Sequence, residues 1–267
     1  NTISKMASAR ADNLLLATYL SSKCPVYFAP AMDLDMYKNS ANQENIKKWI
    51  SHGKIHIPLN SGFLASGLEG EGRMKEPEEI IDFIINNIKQ DLKLYNKKVL
   101  ITAGPTYEPI DAVRFVGNFS SGKMGFSLAK TAASLGAEVT LITGPTSLNL
   151  VDDNVVVVNV VTADQMFVEV KKHFRSSDIS ILSAAVSDFK PKNRSDKKIK
   201  KQNNNTLSID LIQNIDILKY LGDNKSEKQI LVGFALETDN ENQNALLKIK
   251  NKNLDAIVLN SLNDKGA

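Results

Sequence analysis

The chain has 267 residues, a net charge of +3 at neutral pH, 42% hydrophobic residues and 24% charged residues. These proportions are typical of one large or two ordinary globular domains, and they exclude a collagen-like or low-complexity chain. The small positive charge and the 6% aromatic content do not indicate nucleic-acid binding. No apolar run reaches the roughly 18 residues that a membrane span requires, so we expect no membrane contact.

Cysteine and histidine usage narrows the class of protein further. The one cysteine, Cys24, cannot form an internal disulfide, which favours a reducing compartment and a cytoplasmic location. The three histidines, His52, His56 and His173, lack the spacing of a metal site or a catalytic triad. The chain begins at Asn1 rather than at a methionine, from which we expect a fragment.

Residues 1–94 form a first block of the chain. The apolar patterns predict helices over residues 2–20, 34–50 and 77–94 and strands over residues 25–29 and 54–57. Four glycines between residues 60 and 73 are typical of a mobile loop.

Residues 95–267 form a second block, in which strands and helices alternate. Strands are predicted over residues 99–103, 137–143, 179–185, 230–235 and 256–259, and helices over residues 122–134, 164–174 and 241–250. Strands that are apolar throughout, separated by helices, favour a parallel sheet covered on both faces, so the fold class is α/β. The polar stretch over residues 190–205 is predicted to be a flexible surface loop.

Ligands of such sheets bind beyond the carboxyl ends of the strands. Three loops of the second block fit this position, namely Gly104–Thr106, Ser183–Asp188 and Gly233–Thr238. The small Ala184 and Ala185 would let a flat ligand approach the backbone, and Asp188 could bind a divalent cation associated with phosphates. The alternative is that these small residues only allow close packing.

The segment Gly117–Gly125 is the most informative motif. Ser120 or Ser121 can cap the following helix, whose N–H groups would then attract phosphate. The segment also fits G-x-x-x-x-G-K, which leaves a P-loop ATPase open, although Met124 stands where a P-loop needs Ser or Thr. A helix cap without any ligand is the third interpretation.

Two groups of lysines could handle an anionic ligand. Lys197, Lys198, Lys200 and Lys201 lie in the predicted flexible loop, where they could close over a triphosphate. Lys248 and Lys252 are four residues apart and share one helix face. Without the other motifs, both groups would be interpreted as solvated surface.

Several longer motifs follow one another along the chain. The second block contains, in order, I-T-A-G-P-T-Y-E-P-I-D-A-V-R-F, N-F-S-S-G-K-M-G, A-A-V-S-D-F, K-K-I-K-K and G-F-A-L-E-T. The first block contains N-T-I-S-K, A-D-N-L-L, P-A-M-D and A-S-G-L-E-G-E-G-R-M. Over essentially its whole length the chain resembles the bifunctional phosphopantothenoylcysteine decarboxylase/phosphopantothenate–cysteine ligase family of coenzyme A synthesis.

The resemblance implies a truncated flavodoxin-like flavoprotein domain over residues 1–94 and a Rossmann-like ligase domain over residues 95–267. In the ligase reaction, the carboxylate of 4′-phosphopantothenate attacks the α-phosphate of CTP, and the amine of cysteine then attacks the acyl-cytidylate. Magnesium and lysines would neutralise the phosphates. The resemblance also implies a homo-oligomer.

The resemblance assigns roles to individual residues of the second block. Asn118 matches the asparagine that holds the acyl-cytidylate, Lys198 matches the lysine of the mobile loop, and Arg114 is a candidate for the substrate phosphate. Asp188 matches the position near the metal and the phosphates. The remaining matches to the nucleotide site are Ala184, Ala185, Asn214, Ile215, Asp216, Ile217, Phe234, Lys248 and Lys252. Ile215 departs from the family's N-P-D-I motif, which has proline at this position.

The first block departs from the family at its decarboxylase site, which uses FMN. Ser66 stands in place of the cysteine that donates a proton, and a hydroxyl is a weaker acid than a thiol. Asp33 replaces the substrate-binding asparagine and would repel a carboxylate unless it is protonated. The family's catalytic histidine lies upstream of Asn1, and the chain stops before the family's closing segment. A flavin-binding regulatory protein without decarboxylase activity is therefore an alternative.

Overall fold

The computed structural model describes residues 2–64, 67, 69–200, 207–237 and 240–261, without the side chains of Glu237 and Ser261. The chain divides into two compact units, Asn1–Asp91 and Leu92–Ala267. Within the described ranges, no helix combines the length and apolarity needed to cross a membrane.

The first unit is built from short helices and two strand pairs. Its elements are α1 (Thr2–Ala7), α2 (Leu14–Ser21), β1 (Tyr27–Phe28), α3 (Leu34–Lys38), α4 (Ser40–Ser51), β2 (Ile55–His56), β3 (Asn60–Phe63), β4 (Glu69–Arg73) and α5 (Pro77–Gln90). Strands β1 and β2 pair in parallel. Its core contains Ala7, Phe28, Ile46 and Trp49, and the Phe28 and Trp49 rings meet edge to face at 4.5 Å.

Two helices predicted as continuous are divided in the structure. The helix predicted over residues 2–20 breaks before Asn13, whose side chain caps α2 by accepting a hydrogen bond from the Leu16 N–H. The helix predicted over residues 34–50 breaks at Asn39, which caps α4 in the same way. Asparagine competes for backbone N–H groups, so it starts a new helix where the apolar spacing alone suggests continuity.

The glycine-rich stretch over residues 60–73 is a hairpin in part, and the prediction of a loop was wrong there. Strands β3 and β4 pair antiparallel, with Gly62 opposite Gly70. Helix α5 ends at Gln90 rather than near residue 94.

The second unit is a six-stranded parallel sheet with two small antiparallel pairs. Its elements are β5 (Lys98–Ala103), β6 (Tyr107–Pro109), β7 (Phe115–Gly117), α6 (Lys123–Ser134), β8 (Glu138–Thr143), β9 (Val155–Asn159), α7 (Ala163–Phe174), β10 (Ile179–Leu182), β11 (Phe189–Pro191), β12 (Leu211–Gln213), α8 (Ile217–Asn224), β13 (Ile230–Glu237), α9 (Glu241–Asn251) and β14 (Ala256–Ser261). The α/β prediction is confirmed.

The order of the sheet strands determines where a ligand can bind. The order is β14-β13-β10-β5-β8-β9, which is the doubly wound arrangement with its switch point between β5 and β10. Both faces of β5 are buried. Val99 and Ile101 belong to the core on the α6 side, and Leu100 belongs to the core that includes α7 and α8. Because both of its faces are buried, β5 is apolar along most of its length.

Several short elements of the second unit were not predicted. They include the edge strand β9, helix α8 and the pairs β6–β7 and β11–β12. The polar stretch over residues 190–205 begins inside β11, whose Lys190 lies opposite Ile212 of β12. Residues 201–205 of that stretch lie outside the described residues.

Candidate functional site

The loops that follow β5 and β10 are joined to each other at the switch point. Ala185 donates its N–H to the Gly104 carbonyl at 2.9 Å, and Thr106 donates its N–H to the Ala185 carbonyl at 3.3 Å. The Thr106 hydroxyl accepts a hydrogen bond from the Ser187 N–H at 2.9 Å. These bonds hold the backbone around Ala185 where a ligand of such a sheet would bind.

The segment that contains Asn118 lies against these loops. The Asn118 amide donates a hydrogen bond to the Val186 carbonyl at 3.0 Å. The Thr146 hydroxyl, from the loop after β8, donates to the Ser121 carbonyl at 2.9 Å. The loop after β10 therefore holds Asn118 itself, and the loop after β8 holds the same segment at Ser121.

Glycines allow this convergence. Gly122 has φ +77°, and a methyl group built on it would lie 3.3 Å from the Gly104 nitrogen. A methyl group on Gly144 would lie only 1.6 Å from the Pro105 carbonyl oxygen. Side chains at these positions would separate the loops that form the site.

The start of α6 differs from the prediction. Its N-cap is Gly122, in the left-handed region, rather than a serine. Ser120 instead accepts from the Gly122 N–H and Ser121 from the Lys123 N–H, both at 3.3 Å. The preceding strand β7 is antiparallel to β6 and lies outside the parallel sheet, so the segment is not a P-loop.

Asn214 is a buried polar residue of the site. It is 7% exposed, and its N–H donates to the Asp188 carbonyl while its Nδ2 donates to the Ser187 carbonyl, each at 2.8 Å. Its buried Oδ1 has no hydrogen-bond partner among the described residues. A buried acceptor without a partner is costly, and this oxygen retains the capacity to accept a hydrogen bond.

A second side of the site lies where α8 begins and α9 ends. Asp216 caps α8 by accepting from the Lys219 N–H at 2.9 Å, and it pairs with Lys252 Nζ at 2.7 Å. Burial raises the pKa of Asp216, but the hydrogen bonds from Lys252 and the Lys219 N–H and the charge of Lys248 outweigh it and lower the pKa. The predicted Asp216, Lys248 and Lys252 are thus brought together.

The other predicted nucleotide contacts surround these groups. Ile215 is exposed at 47%, whereas Ile217 is buried in the core. Phe234 is half-buried on β13, opposite Val258. Asp188 is exposed, and the described residues contain no group of three or more side chains that could ligate a metal. A single carboxylate suits Mg²⁺ held mainly by a ligand's phosphates and water.

The lysine segment, defined as residues 197–200, is anchored at the turn between β6 and β7. Lys198 itself is exposed. Asp111 accepts a hydrogen bond from the Ile199 N–H at 3.0 Å, and Arg114 pairs with Asp111 and donates to the Ile199 carbonyl at 2.9 Å. Sequence reasoning missed Asp111; the D-x-x-R spacing in a turn was the available signal.

A separate cavity lies in the first unit. Its volume is about 370 Å³, and its walls include Phe28, Met32 and Trp49. The buried Nε1 of Trp49 has no hydrogen-bond partner among the described residues. Asp33 comes directly after Met32 in the sequence. It caps α3, where its Oδ1 accepts a hydrogen bond from the Asp35 N–H at 3.4 Å. The predicted Ser66 lies outside the described residues.

Comparison with family models assigns both units. Residues 94–267 match the DNA/pantothenate metabolism flavoprotein C-terminal domain. Residues 1–89 match the flavoprotein family.

The sequence relatives extend over nearly the whole chain. A protein named cysteine/cysteine sulfinic acid decarboxylase, from an unknown prokaryotic organism, is 51% identical over all of this chain and 75% of its own length. The coenzyme A biosynthesis bifunctional protein CoaBC of Borreliella burgdorferi is 45% identical over 98% of this chain and 67% of its own length. The crystal structure of a CoaBC C-terminal domain matches with a TM-score of 0.57 at 45% identity, over 64% of this chain and 80% of that one. The chain thus spans about two thirds to three quarters of these two sequence relatives.

Proposed function

The chain belongs to the family of bifunctional enzymes of coenzyme A biosynthesis that join a flavoprotein domain to a C-terminal ligase domain, and from this we propose that its second unit ligates 4′-phosphopantothenate to cysteine with CTP. The observation that carries the proposal is the position of Asn118, fixed against Val186 at the switch point of the sheet. The nucleotide would lie along the adjoining loop.

The reaction has two steps in which different bonds change. The carboxylate oxygen of phosphopantothenate attacks the α-phosphorus of CTP, and the bond to pyrophosphate breaks. The amine of cysteine then attacks the acyl carbon, loses a proton and expels CMP. Asn118 suits this intermediate because its amide is uncharged and uses one of its two N–H groups on Val186. The other can stabilise the acyl oxygen.

The nucleotide is proposed to bind between the two sides of the site. Ala184 and Ala185 leave room beside the backbone, and the buried Oδ1 of Asn214 can accept a hydrogen bond from an exocyclic amino group. Ile215 lacks the fixed φ angle of the family's proline, but Asp216 still caps α8. Ile217, Phe234, Lys248 and Lys252 would complete the contacts.

Charge neutralisation is proposed to come from three groups. Asp188 would hold Mg²⁺ together with the triphosphate. Lys198 would contact the triphosphate directly, which favours departure of pyrophosphate. Arg114 would contact the substrate phosphate through Nη1, since its hydrogen bonds to Asp111 and Ile199 use Nε and Nη2.

The first unit, up to about residue 94, is proposed to bind FMN and to decarboxylate phosphopantothenoylcysteine. Apolar and aromatic walls around its cavity suit a flat flavin ring, and the unpartnered Trp49 Nε1 offers a buried donor. A bound flavin supplies two-electron redox chemistry. Ser66 would be the proton donor and Asp33 the contact to the substrate, both weaker choices than the family's thiol and amide.

Two alternatives for the first unit have specific support. The 51% identical relative is named for decarboxylation of cysteine and cysteine sulfinic acid, so free cysteine is the second candidate substrate. The substitutions at Ser66 and Asp33 favour a regulatory flavin-binding role without turnover. Carbon dioxide release from phosphopantothenoylcysteine, from cysteine or from neither distinguishes the three, and yellow colour without turnover would support the regulatory role.

The ligase proposal is tested by pyrophosphate release. Purified protein with magnesium, phosphopantothenate and cysteine should release pyrophosphate from CTP and only weakly from ATP. Release that does not depend on phosphopantothenate would contradict the proposal. The oligomeric state, proposed to be a homo-oligomer, is measured by light scattering on the same sample, and a cytoplasmic location by cell fractionation.

A further inference from the structure

Asp111 is a buried carboxylate that the proposed chemistry leaves without a role. Its side chain has 0% exposed surface. It accepts hydrogen bonds from the Val113 and Arg114 N–H groups at 2.8 and 2.9 Å, from the Arg114 guanidinium and from the Ile199 N–H at 3.0 Å. The Arg114 hydrogen bond in particular holds the pKa of Asp111 well below its usual range. The carboxylate therefore stays charged at any pH at which the enzyme would work.

The partner that this carboxylate reaches is distant in the sequence. Ile199 lies inside the lysine segment, 88 residues from Asp111. Its N–H is bound by Asp111 and its carbonyl by Arg114 at 2.9 Å, so both backbone groups of one residue are held. A further bond joins the Ser195 N–H to the Ile110 carbonyl at 3.0 Å. The segment is thus attached along one side to the turn between β6 and β7.

This turn also leads to Asn118. Strand β7 starts one residue after Arg114, and Asn118 follows directly on its end at Gly117. The same hairpin therefore carries the group proposed to hold the acyl-cytidylate and the groups that hold the lysine segment. A change in the turn would move both together.

We propose that Asp111 and Arg114 form a latch on Ile199 that sets the position of Lys198 for nucleotide activation. The inference rests on the proposed ligase function. Asp111 is then a positioning residue, because it acts through the lysine segment and contacts no substrate. Misplacement of a charged group by about 1 Å can cost on the order of a hundredfold in rate, so the latch matters for the first half-reaction.

Limited proteolysis tests the latch without reference to activity. The Asp111→Asn variant keeps the size of the side chain but loses its charge. Its amide nitrogen is a donor and replaces one of the two acceptor oxygens, so at least one of the N–H groups bound by Asp111 loses its acceptor. Trypsin should cleave after Lys197, Lys198 or Lys200 roughly tenfold faster in this variant, compared with wild type at a temperature well below the melting temperature of both. Asp196→Asn is the matched control, since Asp196 is 95% exposed and lies in the same loop. It should leave the cleavage rate unchanged.

A double-mutant cycle tests whether Asp111 acts through Lys198. Asp111→Asn alone should lower kcat/KM for CTP by roughly tenfold or more, and one product should still form per pyrophosphate released. In a Lys198→Ala background the same substitution should have little further effect, because the coupled group is absent. Arg114→Lys, which keeps the charge but has fewer donors for Asp111 and Ile199, should be cleaved by trypsin at a rate between those of wild type and Asp111→Asn.

Each outcome decides a separate point. Equal trypsin cleavage of Asp111→Asn and wild type would refute the latch. If cleavage were faster but the effects of Asp111→Asn and Lys198→Ala on kcat/KM for CTP were additive, the latch would exist but would not act through Lys198. If the wild-type chain released no pyrophosphate from CTP, the ligase function would fail, and the proteolysis result would still decide whether the latch exists.

Discussion

Asn118 and Val186 are joined by a hydrogen bond of 3.0 Å between the Asn118 amide and the Val186 carbonyl. The two residues lie 68 positions apart, one after the hairpin strand β7 and the other in the loop after β10. The bond orients the amide and leaves its remaining N–H and its oxygen for a ligand. In the proposed reaction, the uncharged amide would contact the acyl oxygen of the acyl-cytidylate.

The Asn118→Asp variant should separate the two half-reactions. A carboxylate cannot donate to Val186 and would bring a negative charge near the acyl oxygen. We expect product formation to fall at least about a hundredfold, whereas pyrophosphate release from CTP changes by less than about tenfold in a single-turnover assay.

The control for this variant is Asn154→Asp. Asn154 is exposed and comes directly before β9, at the amino edge of the sheet and away from the site. This substitution should therefore leave both rates unchanged. Equal loss of pyrophosphate release and of product in Asn118→Asp would contradict a role with the intermediate.

The Asp188→Asn variant should change the magnesium dependence. An amide oxygen is a weaker ligand for Mg²⁺ than a carboxylate, so the Mg²⁺ concentration for half-maximal pyrophosphate release should rise roughly tenfold. Asp153→Asn, an exposed aspartate away from the loops of the site, is the matched control. An unchanged magnesium titration in Asp188→Asn would show that the metal is bound elsewhere.

The sequence predicts those parts of the fold whose causes are local. Val99–Ala103 is recognisable as a strand because both of its faces are buried, and the loops after β5 and β10 follow from that assignment. Asn13 and Asn39 divide helices that the apolar spacing joins, because capping competes with periodicity. Helix α8 has eight residues, too short a stretch for periodicity to be distinctive.

The candidate site shows the same division between local and distant causes. Asn118, Asp188 and Asn214 lie in motifs that can be read along the chain. Asp111 accepts a hydrogen bond from Ile199, 88 residues later, and no periodic pattern encodes that contact. The pairing of Asp216 with Lys252 likewise arises only once α8 and α9 are packed.

The Gly144→Ala variant should be unstable. A methyl group there would lie 1.6 Å from the Pro105 carbonyl oxygen, and backbone on both sides must move to relieve the contact. Urea denaturation should give a loss of about 1–3 kcal/mol in the free energy of unfolding. Gly62→Ala, whose nearest neighbours would lie at 3.6 Å, should change that energy far less. If Gly144→Ala lowered the free energy of unfolding no more than Gly62→Ala does, the backbone at Gly144 and at Pro105 would be able to move apart without cost.

The ion pair between Asp216 and Lys252 should make stability depend on pH in the acid range. The pKa of Asp216 is lower in the folded chain than in the unfolded chain. A lowered pKa contributes stability above the unfolded value, near 4, and this contribution is lost as the pH falls through the folded value. Because the pair is partly exposed, it contributes only about 0.5–1 kcal/mol.

The Asp216→Asn variant isolates this contribution, because asparagine also caps a helix but carries no charge. At pH 7 the wild type should melt a few degrees higher than the variant, and the difference should shrink as the pH is lowered below 4. Asp223→Asn, which removes the exposed pair with Lys219 on the same helix, controls for a general charge effect. A difference between wild type and Asp216→Asn that stays constant down to pH 2 would exclude titration of Asp216 as its cause.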